Sequence, residues 1–310
     1  MIQFPYGISD FQRIRSQGML YLDRTAHIPA IEAAGDQLVF LRPRRFGKSL
    51  LLSTLANYYD RHTADEFPAL FGDLAIGKNP TAEHNQYLIL RWDFSKVSGQ
   101  GDVEQIKRNL FEHINAAVEE FVEKYRNTLT SAVTILPHNA IASFESLAGA
   151  VKNSGHTLYL LIDEYDNFAN EILTSDPRDR VRYHDLLEGE GVLKTLFKVI
   201  KASATESKIS RVFITGVSPV VLSDMTSGYN VATSIYLDED FNALCGIPEV
   251  ELQGLVQQIM HGHGLAEAHV AEVMETLRRF YNGYRFCKDL TQATVYNPTL
   301  CFYALRHYQK

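Results

Sequence analysis

Short apolar runs separated by stretches of helical spacing organise the chain. Leu38 to Leu41 is a compact run that predicts a buried strand, and Ser49 to Tyr59 continues it as a helix. Tyr87 to Phe94 (YLILRWDF) reads as a second strand, Asp102 to Tyr125 carries a long amphipathic helix pattern, and Asn139 to Lys152 predicts another helix. Thr157 to Ile162 (TLYLLI) and Arg211 to Ile214 (RVFI) show the near-continuous apolarity of parallel strands covered on both faces. Tyr183 to Ala202 supplies a crossover helix between them. Strands alternating with helices predict an α/β fold with a mostly parallel sheet flanked by helices. The first 35 residues mix apolar runs with turn signals, and Arg61 to Asn85, with Pro68, Gly72, Gly77 and Pro80, predicts an irregular connection. From about Asp238 the pattern changes to two helices, Pro248 to His261 and Ala266 to Tyr281, then a glycine-containing turn with aromatics. The expected division is therefore an α/β domain over 1–237 and a small, mainly helical domain over 238–310.

Composition narrows the function classes. With 310 residues, 45% of them hydrophobic, the chain has enough apolar side chain for a large core and does not read as disordered. A formal charge of −7 argues against a generally basic nucleic-acid binder, and leaves only a local patch at Arg42, Arg44 and Arg45 to hold phosphates. Cys245, Cys287 and Cys301 are widely spaced, show no CxxC pairing, and read as buried free thiols. His261 and His263 form an HxH pair with no third ligand at sensible spacing. The N-terminal MIQFPYGISDF lacks a basic segment followed by an apolar one, and no apolar run approaches the ~20 residues that span a bilayer. A soluble, cytoplasmic protein with no membrane association is expected.

The chemistry concentrates in three stretches. Residues 38–52 read LVFLRPRRFGKSLLL and end like a phosphate-binding loop, but Arg42 stands where GxxxxGK[ST] has its first glycine. Such loops aim backbone N–H groups and a helix N-terminus at the anion, with a lysine for the β and γ phosphates and a hydroxyl for magnesium. Lys48 and Ser49 fit those roles, and Arg44, Arg45, Phe46, Gly47 and Leu50 complete the candidate nucleotide-binding loop of a P-loop NTPase. Leu158 to Glu164 (LYLLIDE) then offers Asp163 to hold Mg²⁺ through water and Glu164 to polarise the attacking water. Thr215, directly after RVFI and on a strand expected between those two motifs, is the preferred residue to sense the γ-phosphate, with Ser218 a second choice and a turn hydroxyl the plainer explanation. The long separation of Lys48 from Asp163 leaves room for the extra strand YLILRWDF. That strand, the Asp-Glu pair and the lack of an Asn-Lys-x-Asp guanine motif favour ATP.

The order FPYGISDFQRIRSQGMLYLDRT, LRPRRFGKSLLLSTL, LLIDEYDNF, FITGVSPV, LCGIPEVEL, YNGYRF and VYNP resembles the AAA-ATPase-like family of bacterial proteins, related to archaeal and STAND-type ATPases, over nearly the whole chain. In that family arginine at the first glycine position is normal, so the resemblance implies a variant, working loop. It also implies an ATP-binding core with Mg²⁺, a YLDRT stretch (Tyr21 to Thr25, including Asp23) near the nucleotide, and a functional place for Asp166. Arg285, within GYRF, is expected as a γ-phosphate residue of a lid or winged-helix-like domain, with a structural ion pair the competing role. Relatives commonly continue into a PD-(D/E)xK nuclease domain. The only Glu-x-Lys found here, Glu206 to Lys208, is in a polar stretch and off an apolar strand. The leading expectation is an ATPase whose hydrolysis drives a conformational step in a partner or further domain. The alternative is a nucleotide-dependent switch or interaction module with little hydrolysis, linked to nucleic-acid processing or to homo-oligomer or protein partners, where an arginine supplied in trans completes the site.

Overall fold

The computed structural model describes residues 2–167, 191–219, 229–262 and 267–309. Five parallel strands form one sheet: β1 (Gln37–Leu41), β2 (Tyr87–Asp93), β3 (Thr157–Asp163), β4 (Ile209–Gly216) and β5 (Thr233–Ser234), in the order β2-β3-β4-β1-β5. The helices are α1 (Phe11–Ser16), α2 (Ile28–Ala34), α3 (Lys48–Tyr59), α4 (Phe67–Phe71), α5 (Ala75–Lys78), α6 (Val103–Lys124), α7 (Ala140–Asn153) and α8 (Val192–Thr205). Beyond β5 come a two-stranded antiparallel pair, β6 (Ile247–Pro248) with β7 (Val295–Tyr296), and helices α9 (Glu249–Gly262), α10 (Glu267–Tyr281) and α11 (Pro298–Tyr308). The fold is thus α/β, a five-stranded parallel sheet flanked by helices with a helical C-terminal region.

The apolar strand runs are explained by the two layers that cover them. Val39 and Leu41, Leu158, Leu160 and Ile162, and Val212 and Ile214 face α6, α7 and α8. The alternate positions Leu38 and Phe40, Tyr159 and Leu161, and Phe213 face α1, α2 and α3. Successive strand residues point to opposite faces, so a strand buried on both sides must be apolar throughout. Two of the long helices on the first face, α6 and α7, start at a side-chain cap, Asp102 accepting from Gln105 N and Asn139 from Ala142 N, whereas α8 starts at Gly191 without one. A third apolar cluster joins α9, α10 and α11 to Phe4 near the N-terminus.

YLILRWDF goes to the edge as β2, and β4, last of the four long strands in sequence, lies between β1 and β3. The outer edge of β2 is covered by α6 side chains, since Ile89 N donates to Tyr125 Oη and Asp93 N to His113 Nε2. The crossover helix begins at Val192, with the earlier part of Tyr183 to Ala202 outside the described residues, as are Ala266 and His263. Among the described residues no helix is long and apolar enough to cross a membrane.

Candidate functional site

Parallel pairing brings the C-terminal ends of β1, β4 and β3 together, so the phosphate-loop motif, Thr215 and the Asp-Glu pair meet at one edge of the sheet. Arg42 N donates to Gly216 O at 3.1 Å, extending the β1 and β4 ladder one step beyond the strand. The loop then turns through two positive-φ residues, Arg45 (φ 69°) and Gly47 (φ 90°). Gly47 faces open space, and no side chain caps α3. The amides of the first turn of α3 therefore keep the partial positive charge and free donors that suit an anion.

Lys48 is buried, and its ammonium donates to Arg42 O at 3.0 Å and Pro43 O at 3.4 Å. Burial pulls its pKa below the usual lysine range, partly offset by the nearby carboxylates of Glu164 and Asp163. Asp163, at the end of β3, is also buried and accepts from Thr215 Oγ1 at 2.5 Å. Glu164 follows in the left-handed region (φ 48°), half-buried, and burial first, then the Asp163 charge, raise its pKa against the opposing pull of Lys48 and Arg44. A non-glycine residue held there is strained by roughly 1–2 kcal/mol and persists because its neighbours fix it.

Those neighbours are identifiable. Tyr165 N donates to Thr215 O, and Tyr165 Oη to Ser218 O. The buried Asp166 carboxylate accepts from Val217 N and from Ser218 N, the latter at 2.7 Å. The turn after β3 is thereby tied to the turn after β4. Glycine suits the junction at Gly216, because a Cβ there would lie 2.7 Å from Asp166 Oδ1 and 2.3 Å from Cε1 at the edge of the Tyr165 ring.

The remaining candidates fall in three places. Arg44 is exposed and its Nη2 donates to Asn167 Oδ1 at 3.1 Å, beside Glu164. Arg45 is exposed, and its carbonyl accepts from Thr299 Oγ1 on α11. Ser49 and Leu50 are partly buried on the first turn of α3. Tyr21, Phe46, Gly47 and Leu50 line a small apolar cleft of about 80 Å³, half open to solvent, with Thr54, Leu244, Cys245 and Phe302 on its other walls. Tyr21 Oη lies 3.3 Å from Thr54 Oγ1 in this cleft. Asp23 does not line it: its carboxylate accepts from Thr25 N, Thr25 Oγ1 and Ala75 N. Arg285 donates through Nε to Gln292 O within its own turn.

The donor set suits a nucleotide and a hard cation. The uncapped helix, the buried lysine and the adjoining apolar cleft offer sites for phosphate and base, and Ser49, Asp163 and Glu164 offer only oxygen ligands. Among the described residues no group of three or more His, Cys, Asp or Glu encloses a metal by itself.

Sequence reading missed one neighbour of the site and misplaced one of its arginines. Asp93 ends β2 in register with Asp163, and the signal was present, since YLILRW ends in an acid just as LYLLI does. Arg42, expected with Arg44 and Arg45 in a phosphate-holding patch, is instead buried, because besides Leu41 O and the Phe40 ring it finds partners at positions 236–286 that no local pattern announces.

A family profile described as a predicted AAA-ATPase, AAA-ATPase-like, matches residues 5–226. The uncharacterised protein in the vnfD 5′ region of Azotobacter chroococcum mcd 1 is 28% identical over 303 residues, covering 96% of this chain and 50% of that protein. The chain thus spans about half the length of that curated relative. Among solved structures, a Walker-type ATPase of Pyrococcus abyssi is 14% identical with a TM-score of 0.47, covering 82% of this chain and 62% of its own. Cdc6p from Pyrobaculum aerophilum is 10% identical with a TM-score of 0.32, over 76% of this chain and 47% of its own.

Proposed function

We propose an activity from one premise: this chain belongs to the AAA-ATPase-like family. It binds ATP at the C-terminal edge of the sheet and hydrolyses it. The observation that carries this reading is the meeting of a buried lysine at an uncapped helix N-terminus with two carboxylates at the end of a neighbouring parallel strand.

In this proposal the first amides of α3 and the Lys48 ammonium bind the β and γ phosphates, Lys48 leaving the two loop carbonyls it holds. Arg44 and Arg45, both exposed on the loop, add charge from outside. The base lies in the apolar cleft beside Tyr21, Phe46 and Leu50. Ser49 and, through water, Asp163 would hold magnesium, which supplies positive charge against the phosphate oxygens. Thr215 donates to Asp163 and so orients that carboxylate. Glu164 accepts a proton from the attacking water, and its raised pKa makes it a stronger base than an exposed glutamate.

A second reading, a switch that holds ATP and turns it over slowly, is favoured by one observation. Arg44 is engaged with Asn167 and Arg285 with Gln292, so in this arrangement neither is presented to a γ-phosphate. A neighbouring subunit or partner would then supply the missing arginine, an effect of ~10³–10⁵ in rate.

Calorimetric titration of Mg-ATP and Mg-GTP into the chain and into Lys48→Ala tests the site. Binding of ATP in preference to GTP, lost in the variant, is the expected result, and no binding by the unmodified chain overturns the proposal. Turnover then separates the two readings. A rate that Glu164→Gln lowers marks an enzyme, and equal background rates mark a switch.

A further inference from the structure

Arg42 occupies the loop position where glycine is usual, yet it is 1% exposed and reaches no solvent-facing phosphate surface. Its guanidinium points the other way. Nη1 donates to Leu41 O and Tyr236 O, both at 2.8 Å, and Nη2 to Phe241 O at 2.5 Å. The plane lies between two rings, 4.3 Å from the centre of Phe40 on β1 and 4.1 Å from that of Phe286. Phe286 in turn packs edge-on against Phe46 of the loop, and its amide donates to Asn242 Oδ1. Residues 236–242 and 284–287 therefore converge on one buried side chain.

Two features separate this arrangement from an ordinary structural ion pair. Among the described residues no carboxylate forms a salt bridge with Arg42, and its Nε has no hydrogen-bond partner. Burial lowers its pKa to about 10. A cation held only by carbonyls and rings is sensitive to any change in nearby charge. The second feature is the backbone of the same residue: Arg42 O accepts from Lys48 Nζ at 3.0 Å, and Arg42 N donates to Gly216 O.

We propose that Arg42 is a positioning residue that couples Lys48 to the segments 236–242 and 284–287, so that nucleotide capture by the lysine is felt in the C-terminal region. The inference rests on the nucleotide reading above. When the ammonium turns from Arg42 O to a phosphate, the peptide at Arg42 loses its donor, and anionic charge arrives beside a cation that has no counter-ion. Both changes act on the side chain that holds Tyr236, Phe241 and Phe286. Linkage makes the effect reciprocal, so a partner that grips the C-terminal region changes nucleotide affinity by the same factor. Arginine replaces glycine here because the loop needs a planar fork with several donors on its inner side.

Hydrogen–deuterium exchange on the full chain, with and without saturating Mg-ATP or a non-hydrolysable analogue, tests this. In the unmodified chain, nucleotide is expected to change exchange at 47–52 and also at 236–246 and 284–287. In Arg42→Lys, which keeps the charge but not the fork, the change at 47–52 persists and the change at 236–246 is lost. Arg42→Gly, which restores the common loop pattern, gives the same loss. Phe286→Leu removes the ring over the guanidinium while keeping an apolar side chain, and serves if the arginine variants do not fold; it also weakens the distant response. A response confined to 47–52 in the unmodified chain, or an unaltered response at 236–246 in the variants, overturns the coupling alone. No change at 47–52 with either nucleotide overturns the nucleotide reading and the coupling with it.

Discussion

Two buried arginines mark the two ends of the sheet, and their surroundings differ in kind. Arg211, near the start of β4, forms two hydrogen bonds to Glu83, at 2.6 and 2.7 Å, and a third to Gly35 O. Glu83 also accepts from Tyr87 Oη. Burial works against the Arg211 charge, but the bonds with Glu83 and Tyr87 outweigh it and its pKa rises. Arg42, just past the end of β1, has carbonyls and rings for partners, and its pKa falls. One end of the sheet has compensated its charge internally and is locked. The opposite end holds Arg42 uncompensated, Lys48 on loop carbonyls and Glu164 in a strained turn, as expected where ligand charge is to be received.

The contrast is sharpest if changes at one end act on turnover and changes at the other on stability. The largest expected effect is Glu164→Gln, which lowers ATP turnover by ~10²–10⁴ while the urea midpoint stays close to that of the unmodified chain. Glu83→Ala, at the opposite end, leaves Arg211 buried without its partner and costs about 3–5 kcal/mol in urea unfolding, with ATP affinity kept. A turnover loss in Glu83→Ala as large as in Glu164→Gln would erase the distinction between the ends. Gly216→Ala forces a methyl against Asp166 and Tyr165 and is expected to lower stability by ~1–3 kcal/mol, with turnover falling as the Glu164 turn shifts.

The smallest effect is on pH dependence. Protonated Glu164 cannot accept a proton from water, and its pKa is raised above 4.5, so activity falls on acidification at a higher pH than an exposed glutamate would give. The acid limb of the turnover profile, measured between pH 4 and 8, should therefore lie above that reference and vanish from the residual rate of Glu164→Gln. A limb no higher than that of an exposed glutamate would place the titrating group elsewhere.

The long elements were legible because their burial is simple. QLVFL and TLYLLID are apolar on both faces over most of their length, YLILRWD departs from that at the exposed Arg91 and at Asp93, and α6 carries one apolar stripe. Short elements were not: α1 and α2 have six and seven residues, too few for a period to show, and β5 is a two-residue exposed strand. α11 left a readable signal that was not taken up, Asn297 as the cap and Pro298 in the first turn. In the site, the motif positions Lys48, Asp163 and Glu164 could be read locally, whereas the ties from Thr215 to Asp163 and from Asp166 to the β4 turn depend on strand order. No local pattern gives that order.

Strand order also governs how the chain is made. Among the described residues β1 pairs only with β4 and β5, both far later in the sequence, so a growing chain exposes QLVFL without these neighbours until Gly216 has emerged. At ordinary rates of synthesis that wait is on the order of 10–30 s. β1, an interior strand of the finished sheet, is the one most open to wrong pairing during translation, and a product interrupted before β4 leaves both of its edges bare.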